Sequence, residues 1–182
     1  MGPMTRIVYG RVFEALFIVG LKGQMTTSLE HRLQAELGVN LNELKHSYPH
    51  ATWERAVGIA AEELYSDLKR EDAYALLGEL LTAGYFITPM GIVASATMRL
   101  LGPNRAMQRI DHMISTANNY FESRAIRHAD NHFSVLMNEP GPLRDMVRGS
   151  LQYGFGVCGG NDARCEVKGF DAEQAILDIS WA

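Results

Sequence analysis

Apolar residues recur at helical spacing through the first two thirds of the chain and at every second position in the last third, so helices are expected first and strands last. The clearest helical run begins at Thr27. Thr27 and Glu30 make a capping box, Leu29, Leu33 and Leu37 form one stripe, and Gly38 stands where a terminating glycine belongs. A second helix follows the turn HSYPHATW, with Thr52 as its N-cap and Trp53, Val57, Ala60, Leu64 and Leu68 on one face. A third spans Arg70 to Ala83 around Leu76, Leu77, Leu80 and Leu81, and Gly84 closes it. Thr88 and Pro89 open a fourth, since threonine caps and proline is preorganised for the first helical position. Gly102-Pro103 repeats that punctuation and starts a fifth, which carries Met107, Ile110 and Ile114. Residues Ile7 to Val19 suit a helix or a strand equally.

Beyond Asn118 the texture changes. Tyr120 to His128 and His132 to Met137 flank a polar turn at 129–131 and read as a hairpin. EPGP is a loop, and Leu143 to Tyr153 is a sixth helix. A second hairpin follows in which Cys165 and Val167, then Leu177, Ile179 and Trp181, point inward. This order predicts an α+β fold: a layer of about five to six helices on a small antiparallel sheet, with the strands mostly in the C-terminal third. The 182 residues fit one domain, taken as residues 4–182 with the first three set aside.

Composition narrows the function classes. With 47% hydrophobic and 21% charged residues, the chain is that of an ordered globular protein. A net charge of −4 without a basic run excludes a nucleic-acid footprint. The most apolar run near the start, Ala15 to Leu21, is too short to span a bilayer, so neither a membrane span nor a signal segment is expected. Cys158 and Cys165 are too few for a disulfide framework and lack C-x-x-C spacing; they read as reduced thiols of a cytoplasmic protein.

The candidate chemistry is thin. Gly154, Gly156 and Gly159 spell the dinucleotide fingerprint G-x-G-x-x-G, with Asp178 near the place of a ribose-binding acid, but that fingerprint needs a strand before it and a helix after it. Here a helix precedes and strands follow, so the glycines are expected to end the sixth helix. His128, Asp130 and His132 share one face of a strand, or stack the two imidazoles on a helix, and are the best metal-ligand candidates; a solvated hairpin turn fits the surrounding pattern better. His46 and His50 flank Tyr48-Pro49 and stand near enough to Trp53 to line a pocket, or to be surface turn residues. Glu62, Glu63, Asp67, Glu71 and Asp72 form a solvated acidic face. Met90, Met98, Met107 and Met113 suit core gaps, or an adaptable apolar pocket. A nucleophile at Cys158 would need a histidine brought to it in space.

As a set, Tyr48-Pro49 followed by Trp53, Gly78, Gly84-Tyr85 with Thr88 and Gly91, Leu100-Leu101-Gly102-Pro103, Asn118-Asn119-Tyr120 and a terminal strand ending in Trp181 resemble a paralogous family of unknown function expanded in myxobacteria. The resemblance covers about Ile7 to Trp181. That family is similar, remotely, to haem-nitric-oxide-binding domains, to vinyl-reductase-type ligand-binding domains and to the Bet3-like subunits of the TRAPP tethering complex. These relatives imply a helical layer over an antiparallel sheet, an apolar cavity and a dimer. Haem requires a proximal histidine on a helix, and His112 is the only histidine in a late predicted helix; no cofactor is expected. The leading expectation is a non-enzymatic regulatory or sensory domain for a small apolar ligand, with Trp53, Tyr85 and Phe86 in the pocket wall and an unknown protein partner. The second is a homodimeric interaction module that docks a small Ras-like GTPase, as Bet3-like subunits do. A metal-dependent enzyme at His128, Asp130 and His132 comes last.

Overall fold

The computed structural model describes residues 5–182, the side chains of His112 and Met113 apart; the expected domain start at Met4 and the residues set aside before it lie outside the described residues. Strand β1 (Ile7–Tyr9) pairs antiparallel with β2 (Ser47–Pro49), Val8 opposite Tyr48. Helix α1 (Gly10–Phe13) follows at once and widens into a π-helix over Glu14–Gly20, which buries Leu16 and Phe17. The stretch that suited either element is therefore a strand and then a helix.

Helix α2 (Thr27–Leu37) ends at Gly38 with φ of 64°, as its glycine predicts, but its cap is Thr26, whose hydroxyl accepts from Leu29 N at 3.1 Å. The capping threonine is thus one residue earlier than expected. Helix α3 (His50–Leu64) starts directly from β2, so Thr52 lies in its first turn instead of capping it, and it stops short of Leu68. Helix α4 (Arg70–Phe86) runs through Gly84. A Cβ there would stand 2.1 Å from Ala15 O, so Gly84 permits a close crossing with the π-helix instead of ending α4. Helix α5 (Pro89–Met107) begins as the sequence dictates, Thr88 Oγ1 accepting from Gly91 N at 3.1 Å, and breaks at Gly102, where φ is 71°. The short α6 (Ile110–Ile114) follows.

The main sheet contains β3 (Ser123–Ala129), β4 (His132–Met137), β5 (Arg164–Phe170) and β6 (Ala175–Ser180), all antiparallel in the order β3-β4-β6-β5. The two outer strands each slip by one residue, between Arg127 and Ala129 and between Val167 and Gly169. Alternation sends Phe133, Val135, Leu177 and Ile179 inward, where Phe155 and Trp181 cover them. Helix α7 (Leu143–Val157) lies between the sheet and α4. It extends past the expected end at Tyr153, so Gly154 and Gly156 are helical and only Gly159, with φ of 92°, belongs to the turn.

Two apolar clusters result. One gathers the π-helix, α2, α3 and α4 around Phe13, Phe17 and Trp53; the other gathers the sheet, α6 and the C-terminal half of α7. The α+β expectation, helices over a small antiparallel sheet, is the architecture found.

Candidate functional site

The two clusters do not close on each other completely. Between them lies a cavity of about 400 Å³, bounded by β1, the π-helix, α4, α5, α6 and α7. Val12, Trp53 and Met146 reach it from the first cluster, and Ile110, Leu151 and Phe155 from the second. The wall is dominated by aliphatic and aromatic carbon, and its size is that of an ordinary small-molecule site, about 300–1,000 Å³. A second concavity of about 490 Å³ lies between α3 and the start of α4, but Glu54, Arg55, Glu62 and Arg70 make it a polar surface groove. We take the apolar cavity as the site because burial of carbon, rather than volume alone, is what holds a small ligand.

Trp53, Tyr85 and Phe86, the three residues anticipated for a pocket wall, all line this one cavity. Trp53 is held in place by edge contacts with Phe13 and Phe17, at ring separations of 4.9 and 6.3 Å. Tyr85 and Phe86 come from the last turn of α4, where the chain bends by 100° into α5. Met98 of α5 is buried and lines the cavity, and Met107 fills the second core, whereas Met90 is exposed, contrary to its expected place in the interior. Met113 has its side chain outside the described residues.

One end of the cavity is polar. The Glu139 carboxylate is buried, and its Oε2 accepts from the Tyr120 hydroxyl at 3.2 Å and lies 3.0 Å from His50 Nε2. Burial, reinforced by the Glu139 charge, pushes the Tyr120 phenol far above its ordinary range, so it stays a hydrogen-bond donor. Asn118 Oδ1 holds the backbone N–H groups of Tyr120 and Phe121, which orients this wall. His50 thus belongs to the site through Glu139, while His46 packs against Tyr9 at 5.7 Å. Sequence reasoning missed Glu139, Tyr120 and Asn118. Their only advance signal was the polar, aromatic string Asn118-Asn119-Tyr120.

The metal candidates are placed elsewhere, on the outer face of the sheet. His128 Nε2 lies 2.7 Å from Ser134 Oγ, and His132 Nε2 lies 2.9 Å from Asp178 Oδ1. Asp130 turns to Arg127 in the hairpin. Among the described residues no group of three His, Cys, Asp or Glu side chains is arranged to hold a metal ion. Asp178, far from any ribose-binding role, is pushed up by burial, but hydrogen bonds from His132 and Ser134 and the Lys168 charge outweigh that and hold its carboxyl below the usual range. The Cys158 thiol is buried, donates to Gly154 O at 2.9 Å and is pushed up by burial to about 11; Cys165 is pushed up by burial to about 12. Neither is poised as a thiolate nucleophile.

A family model described as "Protein of unknown function (DUF2378)" matches residues 6–182. The chain belongs to the DUF2378 family. No curated protein matches it. Among solved structures, an H-NOX protein from S. oneidensis in the Fe(II)NO state is similar with a TM-score of 0.74 at 14% identity, over 96% of this chain and 99% of that one. The unliganded Fe(II) H-NOX protein from K. algicida gives 0.68 at 11% identity, over 96% of each chain. The H-NOX domain from Shewanella oneidensis in the Fe(II)CO state gives 0.69 at 14%, over 96% and 98%. This DUF2378 chain therefore has the H-NOX fold, the anticipated haem-nitric-oxide-binding architecture.

Whether this family member's residues suit a haem is a separate question. Haem iron takes an axial imidazole, thiolate or phenolate, or a thioether opposite an imidazole. Among the described cavity residues there is no histidine or cysteine, and Tyr120 is held protonated. His112 stands in α6 with its side chain outside the described residues. The described lining does not fit a haem. The inward Glu139 carboxylate is also an unfavourable neighbour for the anionic rim of such a group.

Proposed function

We propose that this chain is a non-enzymatic sensory domain that takes a small, largely apolar ligand into the cavity between its two cores. The observation that carries this reading is the double lining, since one molecule in that space touches both cores at once. A ligand that fits one relative arrangement of the cores better shifts the population toward it, and the shift is read at the surface by a protein partner. Trp53, Tyr85 and Phe86 supply the apolar wall, and the Glu139 carboxylate, held by the Tyr120 hydroxyl that donates to it, offers an acceptor to a small polar end of the ligand. The fold shared with H-NOX proteins supports a ligand-accommodating architecture, with a different chemistry in the pocket. A homodimeric module of the Bet3-like kind, docking a Ras-like GTPase, calls for a filled core, and the cavity ranks it second.

Gly154 offers the test. A Cβ at this position meets only Thr82 Cγ2, at 3.8 Å, and Gly154 lines the cavity from the last turn of α7 with a helical backbone, so Gly154→Leu should place its side chain in the space with no backbone strain. Native mass spectrometry of the wild type, against a denatured sample, should show a copurifying small molecule, and titration with decanol should change Trp53 fluorescence saturably. Gly154→Leu should lose both signals while melting at or above the wild-type temperature. A variant that is equally stable and still binds decanol as the wild type does would refute the assignment.

A further inference from the structure

Helix α5 is built inside out. Its protein-facing side is Gly91, Ser95 and Met98, all buried, and its solvent side carries Met90, Ile92, Val93 and Leu100, exposed by 58, 57, 67 and 88%. Ile87, at the corner that leads into the helix, is exposed by 67%. Among the described residues, five of the eleven exposed large apolar side chains thus fall within fourteen consecutive positions, which is a patch and not the usual scatter. The burial of Ser95 and Met98 shows that the helix is seated on the protein, and the close approach of Gly91 to Tyr85 O, where a Cβ would come within 1.7 Å, fixes the tight corner from which it starts. The reversal of polarity is therefore fixed by packing and is not a helix waiting to roll over.

Charge says what covers the patch. Between Glu79 and Asp111 the chain has no acidic residue and three arginines, Arg99, Arg105 and Arg109, in a protein whose net charge is −4. All three are exposed and stand on the C-terminal half of α5 or just after it. A second copy of the chain would bring the same arginines to the same interface and repel itself. The face is also the flank of a single helix, and recognition of a partner's shape calls for a groove. A bilayer needs no such groove: its interface accepts protruding aliphatic side chains while anionic headgroups receive the arginines. No single described helix is long and apolar enough to cross a membrane, and α4 is occupied by α7 and the π-helix, so the contact is a surface one.

We infer that the exposed face of α5 docks the protein on an anionic membrane surface. Met98, on the opposite side of the same helix, lines the cavity, so a membrane contact through α5 and an occupant of the cavity press on one element from two sides. An apolar molecule of cavity size dissolves in lipid, which places the docked protein where such molecules concentrate. The docking itself does not depend on the cavity being filled.

The test uses the full chain and two kinds of vesicle, phosphatidylcholine alone and an equal mixture of phosphatidylcholine and phosphatidylglycerol, in a co-sedimentation assay. The protein should bind the anionic vesicles and should be released by salt. Replacing Arg99, Arg105 and Arg109 by Gln should weaken that binding by about fivefold per arginine. Val93→Asp with Leu100→Asp should weaken it at least tenfold, and since both side chains face solvent, circular dichroism should show an unchanged fold; Leu100→Ser provides a milder form of the same change. No binding to either vesicle would overturn the inference, as would binding that ignores these substitutions. A wild-type dimer that Leu100→Asp converts to monomers would overturn it in favour of a second copy as the occupant. Gly154→Leu should bind vesicles like the wild type, which separates this result from the outcome of the cavity test.

Discussion

Replacing Gly149 by alanine would force apart the two helices that set the width of the cavity. The added methyl would stand 1.9 Å from Ala75 O and 2.6 Å from Ala75 C, and the reciprocal contact, a Cβ on Gly78 against Met146 O, is also 1.9 Å. Both obstacles are backbone, which cannot swing aside as a side chain can. Ordinary contact begins at 3.4 Å, so α4 and α7 must separate locally by roughly 1.5 Å, the difference between 3.4 and 1.9 Å. Overpacking of this kind costs about 1–3 kcal/mol, set against about 1 kcal/mol gained from alanine's helix propensity. Because the obstacle is backbone, the cost falls at the top of that range, about 3 kcal/mol, so the expected net loss is about 2 kcal/mol, and at about 2–4 °C per kcal/mol for a domain of this size Tm should fall by about 4–8 °C. Gly156 is the internal control. It lies in the same helix with nothing within 4 Å of its Cβ position, so Gly156→Ala should hold or raise Tm. Thermal unfolding followed by circular dichroism reads both variants. If Gly149→Ala melts at or above Gly156→Ala, the close approach does not govern this packing and the reasoning fails.

Two further outcomes follow from the same geometry. Thr88→Ala removes the cap that starts α5 and should cost about 1 kcal/mol, with Thr88→Ser restoring most of it; equal urea midpoints for all three proteins would contradict the cap assignment. Asp178→Asn tests the sheet-face network: because the folded carboxyl is held below its ordinary value of about 3.9, its stabilising contribution is present above that pH and lost as pH falls through the folded value. The variant should therefore be less stable than the wild type near neutral pH, by about 1 kcal/mol or less at this partly exposed site, and the gap should narrow in acid; urea titrations at both ends read it, and a gap that widens in acid is the contrary result.

The C-terminal sheet was legible in advance because alternation leaves a mark of period two: Cys165, then Leu177, Ile179 and Trp181, are buried as read. The start of α5 was legible because Thr88 and Pro89 act locally. Strands β1 and β2 were not, since three residues are too few to show a period and their pairing partners are forty positions apart. Glycine misled at Gly84, Gly154 and Gly156, because a residue that ends a helix and one that lets another element approach, or leaves a space open, look the same in a string. Trp53, Tyr85 and Phe86 were anticipated as aromatics near helix ends and line the cavity, but its polar end was hidden: Glu139 meets His50 across 89 positions and Tyr120 across 19, and a hydrogen bond between distant residues has no local signature.

The slipped register of β3 and β5 has a consequence for assembly. These are the two strands with an open side, and each pairs a bulge with charge: Arg124 and Arg127 on one, Arg164, Glu166 and Lys168 on the other. A bulge bends the row of free peptide groups out of line, and the charged side chains penalise an incoming strand, so neither margin is a template for another chain to extend. Growth of the sheet from molecule to molecule, the common route from a soluble sheet to a fibre, is blocked at both ends, and lasting contacts with other molecules are left to the helical side.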